Sequence, residues 1–213
     1  MSRFLLILSV AILIGCDNGG ELGSAKLQSV SWVINQSIAK TFASGAGSSN
    51  FSKPGSNSFS SAVGSFSFDL RGPSFGCSDE IRQVKFDQRS VTFDDVWCGN
   101  GTFRGTPGFS GPYFYMTTLR RNGAFLEIIS FTFSGQRPTS GIYDIKYRFV
   151  EATYSIFIRV SENLFEGVGD YQAVNGTLSI ESTPTSFSLT SSSILFLNLG
   201  NSLRLGVDLR CCD

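Results

Sequence analysis

The residue types able to do chemistry in this chain are few, and the missing one says most: among 213 residues there is no histidine. That removes Ser/His/Asp and Cys/His nucleophile activation, HExxH zinc chemistry and imidazole general-base catalysis together. Carboxylates, lysines and tyrosines remain. Two acidic pairs stand out, Asp79-Glu80 and Asp94-Asp95. Two carboxylates can hydrolyse a glycosidic bond when they face each other across a cleft at roughly 5 to 10 Å. Neighbours on a strand point to opposite faces, so neither pair is such a dyad alone, and both read as solvated charges near turns. The tract from Glu166 to Asp170 has too few regularly spaced oxygens for a calcium loop, and its Gly-x-Gly follows no βα unit. No catalytic residue, metal ligand or cofactor is assigned, and the reading leans against an enzyme.

Aromatic side chains offer another opening. In Pro112-Tyr113-Phe114-Tyr115, Tyr113 and Tyr115 share one strand face, and Trp97 lies near in sequence. Together they could form a flat platform for stacking sugar rings; the competing reading is core packing in a chain with 20 Phe.

Cysteine chemistry divides by position. Met1 to Gly15 carries one positive charge, Arg3, then an apolar stretch from Phe4 to Ile14 too short to span a membrane. This is a signal peptide, and its end, Leu13-Ile14-Gly15-Cys16, resembles a bacterial lipobox. There the chain would be cut before Cys16, whose thiol and new amine become acylated, so that the lipid is the membrane anchor. Residues 16–24 are small and polar, a flexible tether. Cys77, Cys98, Cys211 and Cys212 remain, an even number in an exported chain. A bridge between the adjacent Cys211 and Cys212 would be strained, so Cys77 and Cys98 are each expected to bind one of them. A four-thiolate zinc site is the weaker alternative, because no CxxC pair is present.

The elements that must position these residues are strands. Strong helix formers are scarce, and no 3.6-residue apolar period follows the signal. Period-two alternation is clean at Phe66/Phe68/Leu70, at Tyr143/Ile145/Tyr147/Phe149, at Tyr154/Ile156/Ile158/Val160 and at Leu203/Leu205/Val207/Leu209. Asn122-Gly123 and Asn175-Gly176 suit type I′ hairpins, and Asn100-Gly101 is a third candidate. Residues 25–213 are therefore expected to form one all-β domain, an antiparallel β-sandwich or flattened barrel of about ten to twelve strands, with a Ser/Gly-rich loop at about 43–64. Lys+Arg and Asp+Glu balance at 17 each, which gives no reason to expect nucleic acid as a partner.

The segments from Ser140-Gly141-Ile142-Tyr143 through Ala152-Thr153-Tyr154 to Gly176-Thr177-Leu178-Ser179-Ile180, behind a lipobox and an acidic, Gly-rich tether, resemble small lipoproteins of Bacteroidota. Those carry a C-terminal β-sandwich of unknown function, and the resemblance covers roughly residues 140 to 210. It implies the architecture and a lipid-anchored place in the bacterial cell envelope, at the outer membrane in preference to the inner. It transfers no catalytic residues. Three roles follow as expectations. The first is a non-enzymatic domain that binds an envelope protein or other ligand. The second is a glycan-binding or glycan-active protein that uses Trp97, Tyr113 and Tyr115. The third is a structural component with a long free edge strand or an apolar patch.

Overall fold

The computed structural model describes residues 29–43, 55–61, 64–70, 79–87, 89–105, 110–146, 149–161 and 164–212. The fold is all-β and, among the described residues, has one helix, α1 (Val30–Ala43). Twelve strands follow: β1 (Gly55–Ser61), β2 (Gly64–Leu70), β3 (Ile81–Phe86), β4 (Arg89–Thr92), β5 (Asp95–Gly105), β6 (Gly111–Asn122), β7 (Phe125–Ser134), β8 (Gly141–Asp144), β9 (Val150–Ser161), β10 (Leu164–Ser182), β11 (Ser186–Asn198) and β12 (Asn201–Cys212). Every pairing is antiparallel, in the order β1-β2-β5-β6-β7-β9-β10-β11-β12-β3-β4, with β8 on β10.

The sheet curls until its far strands return to β5, where Cys98 is bonded to Cys211 of β12 across 6.1 Å between Cα atoms. That is one of the two expected pairings. Cys212 is disulfide-bonded as well. Cys77, its expected partner, lies outside the described residues, as do Cys16, the signal and the tether.

Period two explains the layers. On β5, β6, β7 and β9 one parity (Val96 and Cys98; Phe114 and Met116; Ile129, Phe131 and Phe133; Ala152 and Tyr154) meets residues of β10, β11, β12 and β3 in the main core. The other parity (Trp97 and Phe103; Tyr113, Tyr115 and Leu119; Leu126 and Ile128; Phe157) meets α1 in a second core. These four strands are thus a middle layer buried on both sides, and their sequence gives up the polar outer face that a two-layer sandwich would show.

The helix overturns the expectation that no helix follows the signal. Val33, Ile34 and Ile38 are buried, and so are Ser31, Asn35 and Ser37, so the element has no polar stripe to betray its period. Its β-branched residues are weak helix formers, and tertiary contacts hold it. Ser29 caps it: Oγ accepts from Trp32 N at 3.4 Å, while Glu151 Oε2 accepts from Val30 N at 2.9 Å and Ser29 Oγ at 3.2 Å. One turn on, Asn35 Nδ2 donates to Ser155 Oγ at 2.9 Å, Thr153 O at 3.1 Å and Ile128 O at 3.3 Å. Asn35 Oδ1 accepts from Ser130 Oγ at 2.5 Å. The helix therefore docks on β7 and β9 through hydrogen bonds as well as apolar contact.

Turn chemistry divides likewise. Asn122-Gly123 is the expected hairpin, with Gly123 at φ 60°. Asn175-Gly176 is instead a bulge inside β10, the longest strand, where its register on β11 shifts. Gly is required there by close approach: a Cβ would lie 3.2 Å from Ile194 Cα and Ile145 Cδ1. Asn100-Gly101 lies within β5, paired to Phe114 and Tyr113. Part of the expected loop at 43–64 is strand, since β1 covers Gly55–Ser61 and hairpins onto β2. The run Tyr143 to Phe149 is not one strand either: β8 ends at Asp144, and Phe149 sits in a turn with its ring exposed.

Candidate functional site

Trp97, Tyr113 and Tyr115 share one face, as their spacing requires, but that face lies against α1, and the rings are 3%, 5% and 1% exposed. The rings thus pack in a core, the competing reading of this aromatic face, and form no platform for sugar rings. Alternation reports which residues share a face and says nothing of whether a helix covers it.

An open concave surface forms where the chain leaves one layer for the other, between β4 and β5. It is a cleft of about 630 Å³ lined by Arg82, Thr92, Phe93, Asp94, Asp95 and Arg121. Phe93, 1% exposed, plugs the corner into the main core. Its N–H donates to Arg82 O of β3 at 2.8 Å, and Asp94 N donates to Leu119 O of β6 at 2.8 Å, so the corner is stitched to both layers. Gln83 Nε2 donates to Thr92 Oγ1 at 2.7 Å and Ser90 Oγ to Gln83 Oε1 at 3.1 Å, which holds the β3–β4 rim.

Two guanidiniums organise the acids. Arg82 donates to the Asp94 carbonyl. Asp94 Oδ2 accepts the Arg121 backbone N–H at 2.6 Å, and Asp95 Oδ2 lies 3.4 Å from Arg121 Nη2. The acidic pair thus converges on one arginine, because Asp94 precedes the strand and escapes its alternation. Partial burial holds the Asp95 carboxyl above its usual range; Arg121 opposes this, Asp94 adds to it and Arg82 opposes it. Burial also raises Glu80, with Arg82 lowering it and Asp95 raising it, so the two acids are electrostatically coupled. Asp79 is exposed. Among the described residues no three His, Cys, Asp or Glu are grouped to hold a metal. The cleft can offer a ligand both fixed donors and carboxylate acceptors.

Arg121 also stacks over the Phe42 ring at 5.1 Å, which puts the C-terminal end of α1 beside the cleft. The N-terminal end is held by Glu151. A helix of 14 residues separates the two ends by about 20 Å. Phe125 pairs with Asn122 and Ile158, so it lies on the sheet face opposite Arg121, whose partner Leu126 packs under α1; Phe125, Val160 and Leu164 are 41%, 48% and 48% exposed. β10 meets β11 no earlier than Gln172, so these residues lie beyond the part of β10 that β11 covers.

The acidic pair was visible in sequence, whereas Arg82 and Arg121 were not, because β3 and β6 meet only through the curl of the sheet. None of the protein-family models, curated proteins or solved structures compared with the chain matched it.

Proposed function

We propose that this chain is a lipid-anchored protein of the bacterial envelope whose β domain binds a partner through the Arg82/Arg121 cleft. The observation that carries the reading is polarity of position. The chain enters the described domain at one end of α1, and the cleft opens at the other, about 20 Å away. An anchor at Cys16 would leave the cleft facing the envelope space. The partner's chemistry follows from the lining: a surface with both acids and hydrogen-bond donors, to answer two guanidiniums and the carboxylates of Asp94 and Asp95.

The test is cosedimentation of the purified chain with envelope fractions, before and after protease treatment. Binding that protease abolishes and that falls at least tenfold for Arg82→Ala/Arg121→Ala, with Arg204→Ala unaffected, is expected. Binding that survives protease makes the partner a glycan or lipid. Binding that ignores the alanine pair moves the site elsewhere. Acylation is read from the mass of the peptide that begins at Cys16. A structural role is the second reading, favoured by β1, which among the described residues is paired on one side only and carries neither charge nor proline. Concentration-dependent oligomers in sedimentation velocity would support it.

A further inference from the structure

The end of the domain where the chain arrives has a feature that binding at the cleft does not use. Between β8 and β9 the backbone closes a tight turn: Lys146 N donates to Val150 O at 3.0 Å, Val150 N to Lys146 O at 2.9 Å and Phe149 N to Lys146 O at 3.0 Å. Phe149 O accepts from Ser134 N at 2.8 Å, which fixes the turn to the end of β7. This scaffold holds the Phe149 ring in water at 69% exposure, beside the exposed Lys146. Ile142, on the strand leading into the turn, is 77% exposed.

A single exposed apolar residue is ordinary on a protein surface. Its position here is the argument. Glu151, two residues after Phe149, accepts from Ser29 and Val30 at the start of α1. The N-terminal segment therefore joins the domain one glutamate side chain away from a backbone position about 7 Å from Phe149. Cys16 lies thirteen residues before Ser29. Thirteen residues span at most about 45 Å. They would hold this end of the domain at an effective concentration on the order of millimolar relative to the bilayer, where a contact too weak to recruit a free protein is largely occupied.

We infer that the Lys146–Phe149 turn is a membrane-surface contact, with Phe149 at the headgroup boundary and the Lys146 ammonium on lipid phosphates, orienting the domain with its cleft away from the bilayer. The inference rests on the anchor at Cys16 proposed above. An aromatic ring and a lysine are the side chains that settle at this interface, and anionic lipid is the chemistry they answer.

The experiment uses the full chain carrying Phe149→Trp, reconstituted in vesicles of equal parts phosphatidylglycerol and phosphatidylethanolamine, with the unsubstituted chain as the baseline for Trp32 and Trp97. Intact mass reports the acyl groups. A blue-shifted emission from the new indole, quenched by lipid labelled near the headgroup and partly reversed by Lys146→Glu or by high salt, is expected. An indole on a fully acylated chain that remains open to iodide and untouched by labelled lipid overturns the contact while the anchor stands. A chain without acyl groups overturns the anchor and, with it, the contact that depends on it.

Discussion

Removing the Asn35 amide tests the helix–sheet interface most sharply. The side chain makes three donor contacts to Ser155 Oγ, Thr153 O and Ile128 O, and accepts one from Ser130 Oγ at 2.5 Å, all at a buried position. The carbonyls of Ile128 and Thr153 belong to the β7–β9 ladder, and Ser130 Oγ keeps Thr117 Oγ1 at 2.8 Å, so truncation strands few groups completely. Counting about 1 kcal/mol for each of the shorter bonds, Asn35→Ala costs about 3 kcal/mol. That is a fall in Tm of roughly 6 to 12 °C for a chain of this size. Asn35→Asp is the discriminating partner. It keeps the acceptor for Ser130 but aims a buried carboxylate oxygen at two carbonyls, so it is more destabilising than alanine at neutral pH. Such an acid would have its pKa raised in the fold, so the Asn35→Asp chain regains stability as pH falls through that value. Urea denaturation followed by tryptophan fluorescence reads both, since Trp97 lies in the core beneath α1. An alanine cost below about 1 kcal/mol, with aspartate no worse, would refute docking through this amide.

Three further outcomes are expected. Cys98→Ala/Cys211→Ala opens a link across 113 residues, and loop-closure entropy puts the loss at up to about 4.7 kcal/mol, checked by thermal melts under non-reducing conditions. Gly176→Ala forces a Cβ to 3.2 Å from the Ile194 backbone and costs roughly 1 to 3 kcal/mol in urea titration; a neutral result would mean β11 can yield there. Because the Asp95 carboxyl is raised above its unfolded value, its charged form opposes folding at pH 7 and this opposition fades as pH falls through the folded pKa. Asp95→Asn is then more stable than the parent at pH 7, with the difference vanishing in acid; a variant destabilised most at pH 7 would show that the Arg121 pairing outweighs burial.

The strands and the Asn122-Gly123 hairpin were legible because alternation and a turn dipeptide are local signals. The Cys98–Cys211 bond was within reach for another reason: four cysteines after Cys16, two of them adjacent, leave few pairings. The helix was not legible. Its Ser31, Asn35 and Ser37 lie buried against hydroxyls and carbonyls rather than in water, which erases the amphipathic period. Trp97, Tyr113 and Tyr115 pack in a core, as a Phe-rich chain suggested; alternation did not foretell that the element covering their face is a helix. Asn175-Gly176 misled because a glycine admitted for close packing looks like one admitted for a turn. At the cleft, Asp94 and Asp95 stood out as neighbours in sequence, yet alternation alone read them as solvated charges near a turn. Arg82 and Arg121 come to them from strands distant in sequence, and only the closing of the sheet around Phe93 brings the charges together.

Site-specific photocrosslinking in intact envelopes tests the proposed binding end most directly, with the reactive group placed at exposed Thr92 on the cleft rim or at exposed Glu181 on β10. A discrete adduct from position 92, lost when Arg121→Glu is introduced and absent from position 181, is the expected result. Adducts from position 181 with none from position 92 would contradict it and move the binding surface off the cleft.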